Sequence, residues 1–294
     1  MIYLKSIRLP SDADEIRVIQ SEARTCFVSF YPFKIFPDKG LSRLTFDTVT
    51  MLYGGNGSGK STLINLIAEK IGADRFSDFN DSPHFPRYVG MTQVEYYSRP
   101  SGAVMLSSDD VFDYLFSARS VNERLDEKRS ALFDKYVEAH NEIHRNPDIG
   151  ILHGLDDYER WSETREILSR RRTQSQYVKS RVAREIDLYS NGETAMRYFI
   201  DRIPEGGICL LDEPENSLSV ERQIELADYL AATARASRTQ FIIATHSPIL
   251  LSMAGATVYD LDSYPVAARH WTELENVRRY YEFFASHRDE FEEE

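Results

Sequence analysis

The run Gly54-Gly55-Asn56-Gly57-Ser58-Gly59-Lys60-Ser61-Thr62 constrains this chain more than any other stretch of its 294 residues. It fits the pattern G-x-x-x-x-G-K-[ST], follows the apolar stretch Val49 to Tyr53 and precedes Leu63-Ile64-Asn65-Leu66-Ile67. Strand, glycine-rich loop and helix in that order are the context in which this pattern cradles phosphate. Gly54, Gly55, Gly57 and Gly59 open backbone conformations closed to residues with a Cβ, so successive N–H groups can turn toward phosphate oxygens. A helix starting near Lys60 adds the positive end of its dipole. Lys60 is then expected to reach the β- and γ-phosphates of a nucleotide, and the Ser61 hydroxyl to ligate Mg²⁺.

Three more segments follow in the C-terminal half. Ile208-Cys209-Leu210-Leu211-Asp212-Glu213-Pro214 reads as a strand covered on both faces of a parallel sheet and ending in two carboxylates. Asp212 is expected in the Mg²⁺ shell, and Glu213, one residue on, as the general base that polarises the attacking water. Tyr189-Ser190-Asn191-Gly192-Glu193 opens a helix running through Thr194 to Ile203. Its hydroxyl and free N–H groups make a second anion site. One molecule does not need two such sites for one γ-phosphate, whereas two molecules facing each other do. Gln240 to Pro248 reads as another apolar strand, with His246 at its C-terminal end, where ligands sit in open α/β sheets. His246 is expected to sense the γ-phosphate.

With these segments in this order the chain resembles the ATP-binding cassette superfamily of ATPases. GGNGSGKS is similar to the Walker A motif, YSNGE to the LSGGQ-type signature, ICLLDEP to Walker B, ENSLS at Glu215 to Ser219 to the D-loop, and THS to the switch histidine. The resemblance implies an α/β P-loop fold with a mainly parallel core sheet, an N-terminal antiparallel β-subdomain and a helical insert. It also implies that Gly54 to Thr62 bind ATP, that Ser61 and Asp212 hold Mg²⁺, and that Glu213 and His246 are catalytic. Ser190, Asn191, Gly192 and Glu193 would meet the ATP of the other subunit in a homodimer formed on ATP binding, with Asn216 to Ser219 along the same seam. Asn191 stands where the signature usually has its first Gly, and Tyr189 where it has Leu. The polar metal-side group of the Q-loop is open between Gln93 and Asp109, the latter following the strand-like run Ala103 to Leu106. Tyr31, Phe33 and Phe36 compete for the aromatic that stacks on adenine.

Residues 1–110 read as the β-subdomain and Walker A part of the core, 111–188 as the insert, and 189–294 as the signature, Walker B and switch part. Strands are expected over Ile2 to Leu9, Thr25 to Phe30, Leu44 to Phe46 and Val49 to Tyr53, and an irregular loop over Asp74 to Arg87. Val111 to Leu188 is charged and helical by propensity, divided into two arms around Asn146-Pro147 and Gly150 to Gly154. The second arm carries Arg160, Arg165, Arg170, Arg171, Arg172, Lys179, Arg181 and Arg184 in a chain of net charge −12. A solvated face, a protein-docking face and a nucleic-acid contact are the readings of such a stripe.

Cys26 and Cys209 are unclustered, which suits buried thiols in a reducing compartment. No stretch approaches the ~20 apolar residues that span a bilayer, and MIYLKSIRLP reads as a strand rather than a signal peptide. A cytoplasmic location without direct membrane insertion is therefore expected. Within the superfamily the chain resembles small soluble AAA-family ATPases related to the OLD, SMC and repair ATPases, on LLDEPENSLS and FIIATHSPILL. That resemblance implies an ATP-driven switch or motor for a protein partner, engaged through the insert, with DNA-related or anti-phage roles among its relatives. The alternative is the energy-coupling subunit of a membrane transporter, against which the long charged insert counts. A nucleotide-dependent binding module with negligible turnover is a third reading, disfavoured by a Glu in the base position.

Overall fold

The computed structural model describes residues 1–22, 29–145, 173–185 and 191–292. The chain divides into two compact units, one made of Met1–Asp113 with Tyr189–Glu294, the other of Tyr114–Leu188.

The first unit holds two sheets. β1 (Leu4–Arg8) lies between β2 (Arg43–Thr45) and β4 (Gln93–Tyr96) in an antiparallel three-stranded sheet. The larger sheet has the order β5 (Ala103–Ser107), β6 (Ile208–Asp212), β7 (Gln240–Thr245), β3 (Val49–Tyr53), β8 (Thr257–Asp260), β9 (Ala267–Arg269). All its neighbours are parallel except β8 and β9. β3 and β7, apolar apart from Thr50, Gln240 and Thr245, are buried along their whole length, as expected for strands covered on both faces. The fold is thus α/β with a mostly parallel core and an antiparallel subdomain. Gln240 joins the two sheets from inside. Fully buried, it accepts from the backbone N–H groups of Tyr3 (2.9 Å) and Leu4 (2.8 Å) and donates to the carbonyls of Leu4 (2.9 Å) and Asp47 (3.1 Å).

One core runs between the sheets. Leu4, Ile7 and Leu44 of the small sheet, with Phe46 just beyond it, meet Leu63, Ile64, Leu66 and Ile67 of α2 (Lys60–Ile71) and Leu210, Ile242 and Ala244 of the large one.

The N-terminal region is less β-rich than its sequence suggests, because Asp12–Ser21 forms a helix, α1. Ser11 and Asp14 make a capping box, and Asp12, Asp14 and Glu15 fill the first turn, where the helix dipole favours negative charge. Glu15 is fully buried, and its carboxyl accepts from the Tyr88 hydroxyl (2.7 Å) and the Lys34 amide (2.5 Å). It ties α1 to the loop preceding β2 and to α3 (Phe85–Met91). α3 occupies the end of the segment expected to be irregular, with Pro86 in its first turn, where a missing N–H costs nothing. Cys26 and most of the strand expected over Thr25 to Phe30 lie outside the described residues.

Of the second unit, the described part comprises most of α4 (Ser108–Arg145) and α5 (Gln174–Lys179), which Thr173 and Gln176 open with a capping box. Tyr177 and Val178 are buried there against Leu132, Phe133 and Tyr136, and the Arg181 guanidinium lies 4.6 Å over the Tyr177 ring. Arg160 to Arg172 lie outside the described residues. The other α-helices among the described residues belong to the first unit: α6 (Asn191–Arg202), α7 (Val220–Ala236), α8 (Pro248–Leu251), α9 (Glu275–Ser286) and α10 (Arg288–Glu292). Among the described residues no helix is long and apolar enough to cross a membrane.

Candidate functional site

Strand register gathers the site. Ser107 of β5 pairs with Asp212 of β6, Asp212 with Ala244 of β7, and Thr245 of β7 with Tyr53 of β3, so four adjacent strands end side by side. This is the C-terminal edge of a parallel sheet, where open α/β folds bind ligands.

From Tyr53 the chain enters the loop Gly54 to Gly59. A Cβ on Gly54 would fall 2.4 Å from Ser58 Oγ, and Gly59 has φ +90° with Ile35 Cγ2 3.1 Å from where its Cβ would stand. Those two approaches require glycine. No side chain caps α2 at Gly59, so the first N–H groups of that helix keep no partner within it. Ser58 Oγ is buried and has no hydrogen-bond partner. A tight loop, uncapped amides and a buried hydroxyl without a partner fit an anion such as a nucleotide phosphate.

Lys60 is almost fully buried and donates to the carbonyls of Gly54 (2.7 Å) and Gly55 (3.1 Å). Its Nζ is also 3.3 Å from Glu213 Oε1. The Gly55 N–H donates to Asp262 Oδ2 at 2.7 Å, so Gly55 is held between opposite charges. Asp262 is thereby part of the loop's support.

Ser61 Oγ donates to Asp212 Oδ1 at 3.3 Å. Burial, with the neighbouring Glu213 charge adding to it, pushes the Asp212 carboxyl up to about 7. A hydroxyl and a carboxylate are hard oxygen donors that suit Mg²⁺. Because folding raises this pKa, the folded chain binds the proton more tightly than the unfolded chain does. The associated stability is complete below the ordinary Asp value near 4 and is lost as pH rises through about 7. Asp212→Asn mimics the protonated form. Its advantage over wild type without metal or nucleotide is expected to grow by about 2 kcal/mol between pH 5 and pH 8. Thermal denaturation at the two pH values measures this, and a constant difference would mean that Asp212 titrates normally.

Glu213 follows at φ +48°, a left-handed conformation rare for a residue with a side chain. Its N–H donates to Ala244 O (2.8 Å), and its Oε2 accepts from Asn216 Nδ2 (2.9 Å). Strained backbone of this kind collects at functional sites. His246 lies next to it, with Nδ1 3.9 Å from Glu213 Oε1 and 3.4 Å from Glu215 Oε1.

Beside Ser61 and Asp212 a cleft of about 250 Å³ is lined also by Thr62, Tyr31, Arg75 and Asp109. Asp109 and Gln93 are thus separated by the fold: Gln93 is exposed on β4 in the small sheet, opposite Arg8, and does not line the cleft. Of the three aromatics, Phe33 and Phe36 are buried in the core, while Tyr31 lines the cleft and donates its hydroxyl to Thr62 Oγ1 at 3.1 Å. Arg75 was not anticipated from sequence. It donates to Asn65 Oδ1 (2.9 Å) and lies over the Phe79 ring. In the signature segment Asn191 starts α6, Gly192 faces Arg222 and Glu193 pairs with Arg197 at 3.3 Å, whereas Ser190 lies outside the described residues.

A phosphate loop, a strand-end Asp-Glu pair and a strand-end His on one edge of a parallel sheet define a P-loop ATPase-type domain of the AAA class. Residues 106–252 match the family model described as "AAA domain, putative AbiEii toxin, Type IV TA system", and the chain belongs to that family. No curated protein matches it. Among solved structures it is similar to the Pyrococcus furiosus Smc head domain with an extended coiled coil bound to the C-terminal domain of ScpA, at 12% identity and a TM-score of 0.42, covering 96% of this chain and 100% of that one. The Thermotoga maritima SMC head domain shares 15% identity over 87% of this chain and 94% of its own, with a TM-score of 0.36. A putative metal-chelate type ABC transporter in an inward-facing conformation shares 16% over 79% and 76%, with a TM-score of 0.37.

Proposed function

We propose that this protein is a Mg²⁺-dependent ATPase that works as a cytoplasmic switch, closing into a homodimer around ATP and acting on a protein partner. One observation carries the reading: Lys60, Ser61, Asp212, Glu213 and His246 converge at the ends of adjacent strands around a glycine loop. The loop amides and Lys60 bind the phosphates, and Ser61 with Asp212 holds the metal. Bound Mg²⁺ would neutralise charge on the β- and γ-phosphates. Glu213 takes the proton of the attacking water, and His246 orients the γ-phosphate end.

The contacts of Glu213 give the switch a resting position. Its two oxygens are engaged by Lys60 and by Asn216. Phosphate competes for Lys60, so the base gains its freedom only when nucleotide arrives. Ser190 to Glu193 would complete the site of the opposite subunit, an isologous contact in which two-fold symmetry makes two equivalent sites. Mixing Lys60→Ala chains with Ser190→Arg chains is expected to restore part of the turnover that each variant lacks alone, because one intact composite site forms per heterodimer. Steady-state ATPase assays with sedimentation measure this. Wild-type turnover by a strictly monomeric Ser190→Arg chain would overturn the composite site.

A further inference from the structure

Glu215 has no part in the mechanism above, yet it is a buried carboxylate in the middle of the site, only 5% exposed. It lies in the 3₁₀ turn Pro214–Ser217 and reaches across to the end of β7. Its Oε1 accepts from Thr245 Oγ1 (2.6 Å), the His246 N–H (2.8 Å) and the Ser247 N–H (3.2 Å). The same oxygen is 3.4 Å from His246 Nδ1, a buried atom with no hydrogen-bond partner. Three donors from three consecutive residues on one carboxylate oxygen fix the backbone of that turn and so set where the His246 side chain leaves it.

A second connection runs in parallel. Ser247 Oγ donates to Gln223 Oε1 (2.7 Å), and Gln223 Nε2 donates to Leu218 O (3.1 Å). Thr245 to Ser247 is therefore tied twice to the segment Pro214 to Leu218, which leads into α7.

We propose that Glu215 is a positioning residue for His246: it holds the Thr245–Ser247 turn to the Pro214–Ser217 turn so that the imidazole stays aimed at the nucleotide site beside Glu213. A carboxylate is suited to this because charge-assisted hydrogen bonds to backbone N–H groups are roughly twice as strong as neutral ones. Burying it without them would be costly. Glutamine keeps one accepting oxygen at the same reach, whereas alanine strips the Thr245 hydroxyl and the His246 N–H of this acceptor and leaves the Ser247 N–H only its bond to Thr245 Oγ1 at 3.0 Å.

The kinetic arm of the test rests on the ATPase reading; the exchange arm does not. In kinetics, Glu215→Ala is expected to lower kcat about 30-fold with KM within about 3-fold, and Glu215→Gln to recover most of the loss. Combined with His246→Ala, the Glu215→Ala change is expected to cost no more than about 2-fold further, because both act through one imidazole. Multiplying losses in the double variant would make Glu215 a merely structural residue and overturn the proposal. Should Glu215→Ala fail to fold, Thr245→Val removes one of the three donors and serves the same cycle. By hydrogen exchange, the His246 amide is expected to exchange at least about 10-fold faster in Glu215→Ala and near the wild-type rate in Glu215→Gln. Unchanged exchange in a folded Glu215→Ala chain would also overturn it. A wild-type chain without ATPase activity would remove the ATPase reading, and the exchange rates would still decide whether Glu215 holds the turn.

Discussion

Replacing Lys60 with alanine is expected to weaken ATP binding by at least about 100-fold and to abolish turnover, since charge-assisted contacts to phosphate are lost together. The structure adds a second cost. Lys60 Nζ also holds the Gly54 and Gly55 carbonyls and faces Glu213, so its removal loosens the loop and leaves Glu213 without its nearest cation. Lys60→Arg keeps the charge but is not expected to rescue binding, because a planar guanidinium does not fit the space of an ammonium that is only 4% exposed. Isothermal titration with a slowly hydrolysed ATP analogue measures both variants. Unchanged affinity in Lys60→Ala would remove this loop as the phosphate site.

Glu213→Gln is expected to bind ATP with near wild-type affinity and to hydrolyse it at least about 100-fold more slowly, the loss typical of removing a general base. Glutamine has the same size and can still meet Asn216, so the left-handed turn at Glu213 is retained. Losing the Lys60–Glu213 contact also removes a competitor for phosphate, so affinity is expected to hold or rise. The variant should therefore accumulate with nucleotide bound and, in the dimer reading, closed. Single-turnover hydrolysis and size-exclusion chromatography with ATP measure the two effects. Near-normal turnover would mean that another group activates water.

The site's residues were legible to different degrees. Gly54 to Thr62, Asp212, Glu213 and His246 announce themselves because each sits where a buried strand stops, and such strands are unbroken apolar runs. The choice between Gln93 and Asp109 was not readable. Gln93 opens β4 and Asp109 follows β5, and sheet membership separates them: β4 pairs with β1 in the small sheet, whereas β5 pairs with β6 beside Asp212. α1 was legible in principle, since Ser11 and Asp14 have capping-box spacing, but the strand-forming residues around it dominate a reading by composition. Asp262 carried no local sign, and Glu215 none beyond its place at the start of ENSLS. An Asp after a strand and a Glu in an acidic turn are ordinary, and their partners lie 207 and 30 to 32 residues away.

What the sequence alone determined was therefore the set of pieces: a phosphate loop between strand and helix, a carboxylate pair, a strand-end histidine and a helical insert, in one order. These follow from interactions within a few residues, namely glycine's backbone freedom, helix capping and the burial periodicity of single strands. Tertiary structure decided which polar groups meet. Strand order placed β6 and β7 between β5 and β3, and register aligned their ends. That brought Lys60 to Glu213, Ser61 to Asp212, Gly55 to Asp262 and His246 to Glu215. The physical reason is that pairing of parallel strands is non-local: hydrophobic faces and connection handedness choose a strand's neighbour, and the polar residues at its end carry no information about whom they will face.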